Sequence, residues 1–259
     1  MRILFIGDLI GKPGRAALHV AMPELREIAR PDFVVANGEN SAGGRGITER
    51  TANDIFRAGV DVITTGNHVF RHREAYPYLD REDRVLRPAN YMASSPGRGW
   101  GLFDCGDARV GVVNLAGMVE MTVARSPFTE ADAILERIGD QADAVIVDFH
   151  AEITSEKVAM GWHLDGRASG VFGTHTHVPT ADARVLPGGT ALICDVGMSG
   201  PRDSILGARV DQVLDSFRTQ MPTRLEVAEG DVTICAVVVD VAPDGRANSI
   251  EQIIHHTNR

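Results

Sequence analysis

The sequence predicts an α/β protein in which mixed sheets are flanked by helices. Two patterns carry this expectation. Short apolar runs alternate with helix-length segments, the signature of strand–helix–strand crossovers. Polar residues able to hold a metal or move a proton recur directly after those runs, where sheets of this class open their sites. Composition agrees, because 259 residues with 44% hydrophobic and 24% charged side chains can build one sizeable core. No internal repeat, low-complexity tract or linker interrupts the chain, so one domain over residues 1–259 is expected.

Arg2 to Ile6 reads as a short buried strand, followed by Gly7 and Asp8. Asp8 suits either a cap or a metal ligand. Gly11 to Arg15 reads as a turn before a helix from Ala16 to Ala29, with Pro23 as an interruption. That turn lacks the full phosphate-loop pattern. Phe33 to Ala36 is the second strand, followed by Asn37-Gly38-Glu39-Asn40 and a glycine-rich loop to Gly46. The amides of Gly43 and Gly44, with Arg45 beside them, suit an anion; a plain turn with a solvated arginine suits the local sequence equally. Thr48 is a good cap for a helix running to Ala58 and closed by Gly59. Val60 to Thr65 is the third strand, followed by Gly66, Asn67 and His68. Parallel crossovers would bring these three strand ends to one edge.

Arg71 to Leu86 reads as a charged surface helix and turn, and Arg87 to Tyr91 as an extended connector. Trp100 to Cys105 and Ala108 to Leu115 form a hairpin around Gly106-Asp107. Glu130 to Ile138 is an amphipathic helix, and Ala144 to Val147 a buried strand with His150 just past it. Thr154 or Ser155 caps a helix through Trp162. The run Ala168 to Phe172 leads into Gly173-Thr174-His175-Thr176-His177. In an extended segment, residues two apart share a side, so both imidazoles would face one space. Ala191 to Cys194 is another strand, ending at Asp195 before the loop Gly197 to Arg202. Arg209 to Phe217 is helical, and Val232 to Val241 pairs with Ser249 to Ile254 around Asp244-Gly245. Glu152 and Asp195 fit either partners that orient ligands or turn and surface roles.

A formal charge of −9 argues against broad nucleic-acid binding. It permits a small phosphorylated substrate, because bound cations reverse the field locally. Lys12 and Lys157 are the only lysines. Cys105, Cys194 and Cys235 are scattered, without a Cys-x-x-Cys pair, and read as buried thiols in a reducing cytosol. No apolar run reaches the length of a signal peptide or a membrane span, so a cytoplasmic protein without a membrane partner is expected.

The strand-end residues Asp8, Glu39, Asn40, Asn67, His68, His150, His175 and His177 form a mixed oxygen and nitrogen set. Such a set suits Fe, Mn or Zn better than Ca or Mg. Even without His68 there are too many donors for one ion; two ions sharing a carboxylate fit. In their order and spacing these motifs resemble the calcineurin-like metallophosphoesterase superfamily. The chain departs from it with Ile10 in place of a histidine, Glu39 in place of the bridging aspartate, and Val69 in place of an acid.

Those departures resemble the bacterial YmdB-type phosphodiesterases. The likeness spans the chain, including Arg87-Pro88-Ala89-Asn90 and Asp195 to Pro201. It implies a metallophosphoesterase-type α/β/β/α sandwich. It implies that Asp8, Asn40 and His177 hold a first metal, that Asn67, His150 and His175 hold a second, and that Glu39 bridges. The ions would be divalent or mixed-valence, Fe or Mn foremost and Zn allowed. His68 would be the general acid after metal-hydroxide attack on 2′,3′-cyclic and also 3′,5′-cyclic nucleotides. A homo-oligomer is expected by family analogy. A phosphomonoesterase or nuclease on the same site stays open, because fold does not fix substrate. So does a nucleotide-binding regulatory module with weak chemistry, given the missing histidine at position 10.

Overall fold

Ile3, Leu4, Phe5 and Ile6 are all apolar because both faces of the strand they form are covered. The computed structural model describes residues 1–257. Its strands are β1 (Arg2–Ile6), β2 (Asp8–Leu9), β3 (Phe33–Asn37), β4 (Val62–Thr64), β5 (Val85–Leu86), β6 (Trp100–Cys105) and β7 (Ala108–Ala116). They continue with β8 (Ala144–His150), β9 (Gly170–Thr174), β10 (Arg184–Val185), β11 (Ala191–Ile193), β12 (Met198–Pro201), β13 (Val232–Val241) and β14 (Ala247–Thr257). The helices are α1 (Gly11–Ala29), α2 (Glu49–Arg57), α3 (Tyr76–Leu79), α4 (Pro127–Ile138), α5 (Thr154–His163) and α6 (Val210–Thr219).

The strands form two mixed sheets. One runs β2-β12-β13-β1-β3-β4-β5, with β14 on the other side of β13; the second runs β10-β11-β9-β8-β7-β6. β1, β3, β4 and β5 are parallel neighbours, as are β7, β8, β9 and β11. The hairpins β6–β7 and β13–β14 supply antiparallel edges, as expected from their turn signals.

Three apolar layers explain the sandwich. Ile3 and Phe5 meet Val110, Ile146 and Phe172 between the sheets. The Phe5 and Phe172 rings lie 5.3 Å apart, joining one sheet to the other. Leu4 and Ile6 face the other way, onto Leu18 and Leu25 of α1. Leu115 and Val147 pack under Ile134 of α4 and Met160 of α5. Each fully buried side chain of this kind stabilises the fold by about 1.5–3 kcal/mol. The result is an α/β/β/α order of layers.

The local sequence misleads at five places. α1 begins at Gly11 rather than Ala16, so the expected turn is the first part of the helix. Gly11 has φ +56, and Pro13 lies in the opening turn, where its missing N–H costs nothing. Pro23 is carried inside the helix without ending it. α5 starts after Ile153 with no side-chain cap, and Thr154 and Ser155 lie within its first turn. Only Tyr76–Leu79 of the expected 71–86 surface helix is α-helical, and its end, Val85 and Leu86, is a buried strand. His150 is the last residue of β8 rather than a residue beyond it. By contrast, Thr48 caps α2 as expected, accepting from the Thr51 amide at 3.3 Å.

Among the described residues, no helix is long and apolar enough to cross a membrane. All three cysteines are unpaired; Cys194 and Cys235 are buried and Cys105 is partly so.

Candidate metal centre

Both sheets release their parallel strands at one rim, and the candidate residues gather there. Asp8 is fully buried in β2, which pairs with Met198 and Ser199 of β12. Glu39 and Asn40 are buried in the turn after β3, where the Asn37 side chain accepts from the Glu39 amide at 3.1 Å. Asn67 and His68 follow β4, with Asn67 exposed and His68 half-buried. His150 ends β8 at 0% exposure.

His175 and His177 do not converge as alternate residues of a strand. β9 stops at Thr174, and the two histidines have φ values of 97° and 66°. Side chains other than glycine rarely adopt that region, so the surrounding structure must hold the bend. Asp195 does so. Its buried carboxylate accepts from the Thr176 amide at 3.1 Å, the Thr176 hydroxyl at 2.6 Å, the Gly197 amide at 2.8 Å and Lys157 Nζ at 2.7 Å.

The hydrogen bonds turn three imidazole lone pairs inward. Thr174 gives its one hydroxyl proton to Asp148 at 2.7 Å, so it accepts from His150 Nδ1 at 2.9 Å. His150 Nε2 then carries the lone pair. His175 Nε2 donates to Glu152 at 2.8 Å, leaving Nδ1 to face the cluster. His177 Nδ1 donates to the Leu206 carbonyl at 3.1 Å, leaving Nε2 free inward. This is how proteins orient metal-binding imidazoles.

Around His150 Nε2 stand Glu39 Oε1 at 3.2 Å, Asn67 Oδ1 at 3.2 Å and His175 Nδ1 at 3.0 Å. One ligand atom each from Glu39, His150 and His175 lie within 4.8 Å of one another. Next to this group, Asp8 Oδ1 is buried without a hydrogen-bond partner, 3.8 Å from His177 Nε2. A wall of acceptors with an orphaned carboxylate oxygen calls for positive charge.

The pKa values express the same demand. Burial alone would push His150 down, but Glu39, Asp8 and Asp148 raise it to about 9. Burial pushes Glu39 up, yet the charge and hydrogen bond of His150, with His68, draw it down to about 2. Burial, then the charges of His150 and His177, depress His175 to about 3. Burial raises Asp8 despite His177 and His150. The donors therefore fit divalent cations, which would replace the proton on His150.

Asn40 lies against Glu39 and His177. Its amide nitrogen, not its oxygen, faces Glu39 Oε1 and His177 Nε2, each at 3.2 Å, because both are acceptors. A half-turn of the amide presents the oxygen. His68 donates its backbone N–H to Glu39 Oε2 at 3.1 Å, while its ring makes no hydrogen bond among the described residues. Burial, with Arg45, His150 and Arg71 against Glu39, holds that ring below its ordinary pKa. Arg45 is exposed, and its carbonyl accepts from His72 at 3.0 Å. Gly43 and Gly44 take φ values of 65° and 92°, and neither bonds to the cluster among the described residues. His19, His163 and His255 pair with acids elsewhere, as expected of structural histidines.

Three contributors were missed by sequence reasoning. Asp148 sits inside β8, accepts from Thr64, Thr174 and Asn37, and is pushed up to about 7 by burial. Its signal was an acid within the apolar run 145–149. Gly66 lies against the cluster, where a Cβ would run into the His150 ring and the Glu39 carboxylate. The Leu206 carbonyl carries no sequence signal, because a backbone group is the same in every residue.

The model of the YmdB-like protein family matches residues 4–253. The chain belongs to the YmdB-like family. A 2′,3′-cyclic-nucleotide 2′-phosphodiesterase of Bacillus subtilis strain 168 is 43% identical over 255 residues, covering 98% of this YmdB-like chain and 97% of its own. Among solved structures, a hypothetical protein from Thermus thermophilus has a TM-score of 0.93 at 41% identity over 99% of both chains. A protein titled a novel phosphatase, from Mycoplasma pneumoniae, has a TM-score of 0.92 at 31% identity over 100% of this chain and 94% of its own. The YmdB-like fold seen here is thus of the calcineurin-like phosphoesterase type.

Proposed function

We propose that this chain is a metal-dependent phosphoric diester hydrolase whose substrates are 2′,3′-cyclic nucleotides, with 3′,5′-cyclic nucleotides as further candidates. The observation that carries this reading is the inward set of imidazole lone pairs around Glu39 and the orphaned Asp8 oxygen. The name of the Bacillus subtilis relative supports the substrate class.

Asp8, Asn40 and His177 would hold one ion, and Asn67, His150 and His175 a second, with Glu39 shared. Fe and Mn suit these donors first, and Zn also suits them. When bound, two such ions lower the pKa of water and neutralise charge at phosphorus. The buried carboxylates, the Asp195-held loop and the Thr174–Asp148 relay keep the ligand side chains in place before substrate arrives.

In this reading, water adds to phosphorus, the bond from phosphorus to the ribose 2′ oxygen breaks, and a 3′-monophosphate remains. His68, half-buried with an unengaged ring, delivers the proton to the departing oxygen. Gly43, Gly44 and Arg45 would steady the phosphoryl group from the loop above. A cytoplasmic place of action accords with three unpaired thiols.

The test is metal content measured with turnover on four substrates: 2′,3′-cyclic AMP, 3′,5′-cyclic AMP, a bis-ester and a mono-ester. The expected outcome is saturation of turnover at two ions per chain, with the 2′,3′-cyclic compound fastest. Full turnover without metal, or a mono-ester cleaved faster than every diester, overturns the proposal.

A further inference from the structure

Away from the metal centre, a cavity of about 380 Å³ lies between the connector after β5, the start of β6 and helix α4. None of the candidate metal-site residues lines it. Arg87, Arg98, Arg125 and Arg137 line it with a single carboxylate, Glu130. That local excess of positive charge stands out in a chain of net charge −9.

Arg87 is the unusual member. It is only 6% exposed and has no ion-pair partner among the described residues. One of its nitrogens, Nη1, donates to the Pro88 carbonyl at 2.8 Å, and its Nε is buried with no hydrogen-bond partner. A buried guanidinium without an anion is unfavourable unless something in its cavity answers the charge. Glu130, whose charge also reaches Arg87, is paired directly with Arg125 Nε at 3.1 Å. Arg125 is further tied by its Nη2 to the Ala89 carbonyl at 3.2 Å, which sets that side of the cavity. Arg98 pairs with the exposed Asp83, and Arg137 has no side-chain partner among the described residues. Trp100 adds a half-buried ring to the wall.

We infer that this cavity is a second binding site, for a small phosphorylated molecule. Planar guanidiniums lining one cavity match phosphate oxygens. An indole beside them offers a face to a nucleobase or to any flat ring carried by the same molecule. A cavity of this volume accommodates a ligand of mononucleotide size. The inference does not depend on the metal-centre reading, since the two sites share no residue.

The test uses the metal-loaded protein with Trp162→Phe, so that Trp100 is the only remaining tryptophan reporter. AMP and inorganic phosphate are titrated separately while Trp100 emission is followed. Both should change it, and Arg98→Ala combined with Arg137→Ala should weaken binding at least tenfold. That variant alters exposed residues and should keep its melting temperature and its hydrolysis of 2′,3′-cyclic AMP. Equal affinity for the two probes identifies the phosphoryl group as the recognised part. Tighter AMP binding that is lost in Trp100→Leu, followed for that variant by isothermal titration calorimetry because it carries no tryptophan reporter, identifies a nucleotide. Either result upholds the site. An unchanged Trp100 emission with both probes, or identical affinity in the double variant, overturns it, and neither result bears on the metal centre.

Discussion

His68 stands beside the cluster without joining it. Its backbone is pinned by Glu39, and its ring is held below the usual imidazole pKa, first by burial. If it protonates the leaving oxygen, His68→Ala should cut turnover on 2′,3′-cyclic AMP by about 10²–10⁴-fold. Metal content should stay unchanged, because the ring is not placed among the ligands. The acid must be protonated to act, so wild-type turnover should fall as pH rises through the pKa of His68. Unchanged turnover in the variant would assign the proton to another group. The sequence already marks His68 by its place after Asn67; it holds no mark for the Leu206 carbonyl that orients His177. By sequence, Glu152 and Asp195 fit either orienting or surface roles. Their contacts, to His175 at 2.8 Å and to Thr176 at 2.6 Å, fit an orienting role.

At the scale of elements, the turns after β3 and β4 do the assembling. Gly38 lies under Ile63 and Gly66 lies under His150, so both turns approach their neighbours more closely than a side chain allows. Gly66→Ala should therefore displace His150 or Glu39. The expected outcome is a protein that still folds, destabilised by about 1–3 kcal/mol, with metal content and turnover lost. Thermal melting and elemental analysis of the same preparation check this; full metal occupancy would show that the turn yields without cost. Strand identity was legible because runs such as Phe33 to Ala36 are buried on both faces. Element ends were less so. Thr154 looks like a cap and is not one, because hydroxyl residues suit both a cap and a first helical turn.

For the whole molecule, the decisive feature is the apolar layer shared by the two sheets. Ile3, Phe5 and Val35 on one side close on Val112, Ile146 and Phe172 on the other. The candidate metal-binding residues come from both sheets, so separating the sheets would open the site. We propose on this basis that the chain unfolds as one domain. Calorimetry should show one transition, shifted upward by metal. At a free metal concentration one hundred times the dissociation constant, the gain is about 2.7 kcal/mol. Two separate transitions would indicate that each half folds alone.

Chemical content belonged to the sequence. The kinds of donors, their order and their position after apolar runs follow from local composition, and local composition is what a sequence displays. The direction of each imidazole lone pair, the orphaned oxygen of Asp8, the amide nitrogen that Asn40 turns inward and the arginine-lined cavity were decided only in three dimensions. Each depends on groups far apart in the chain, such as Thr174 with Asp148 or His177 with Leu206, whose meeting no short stretch encodes.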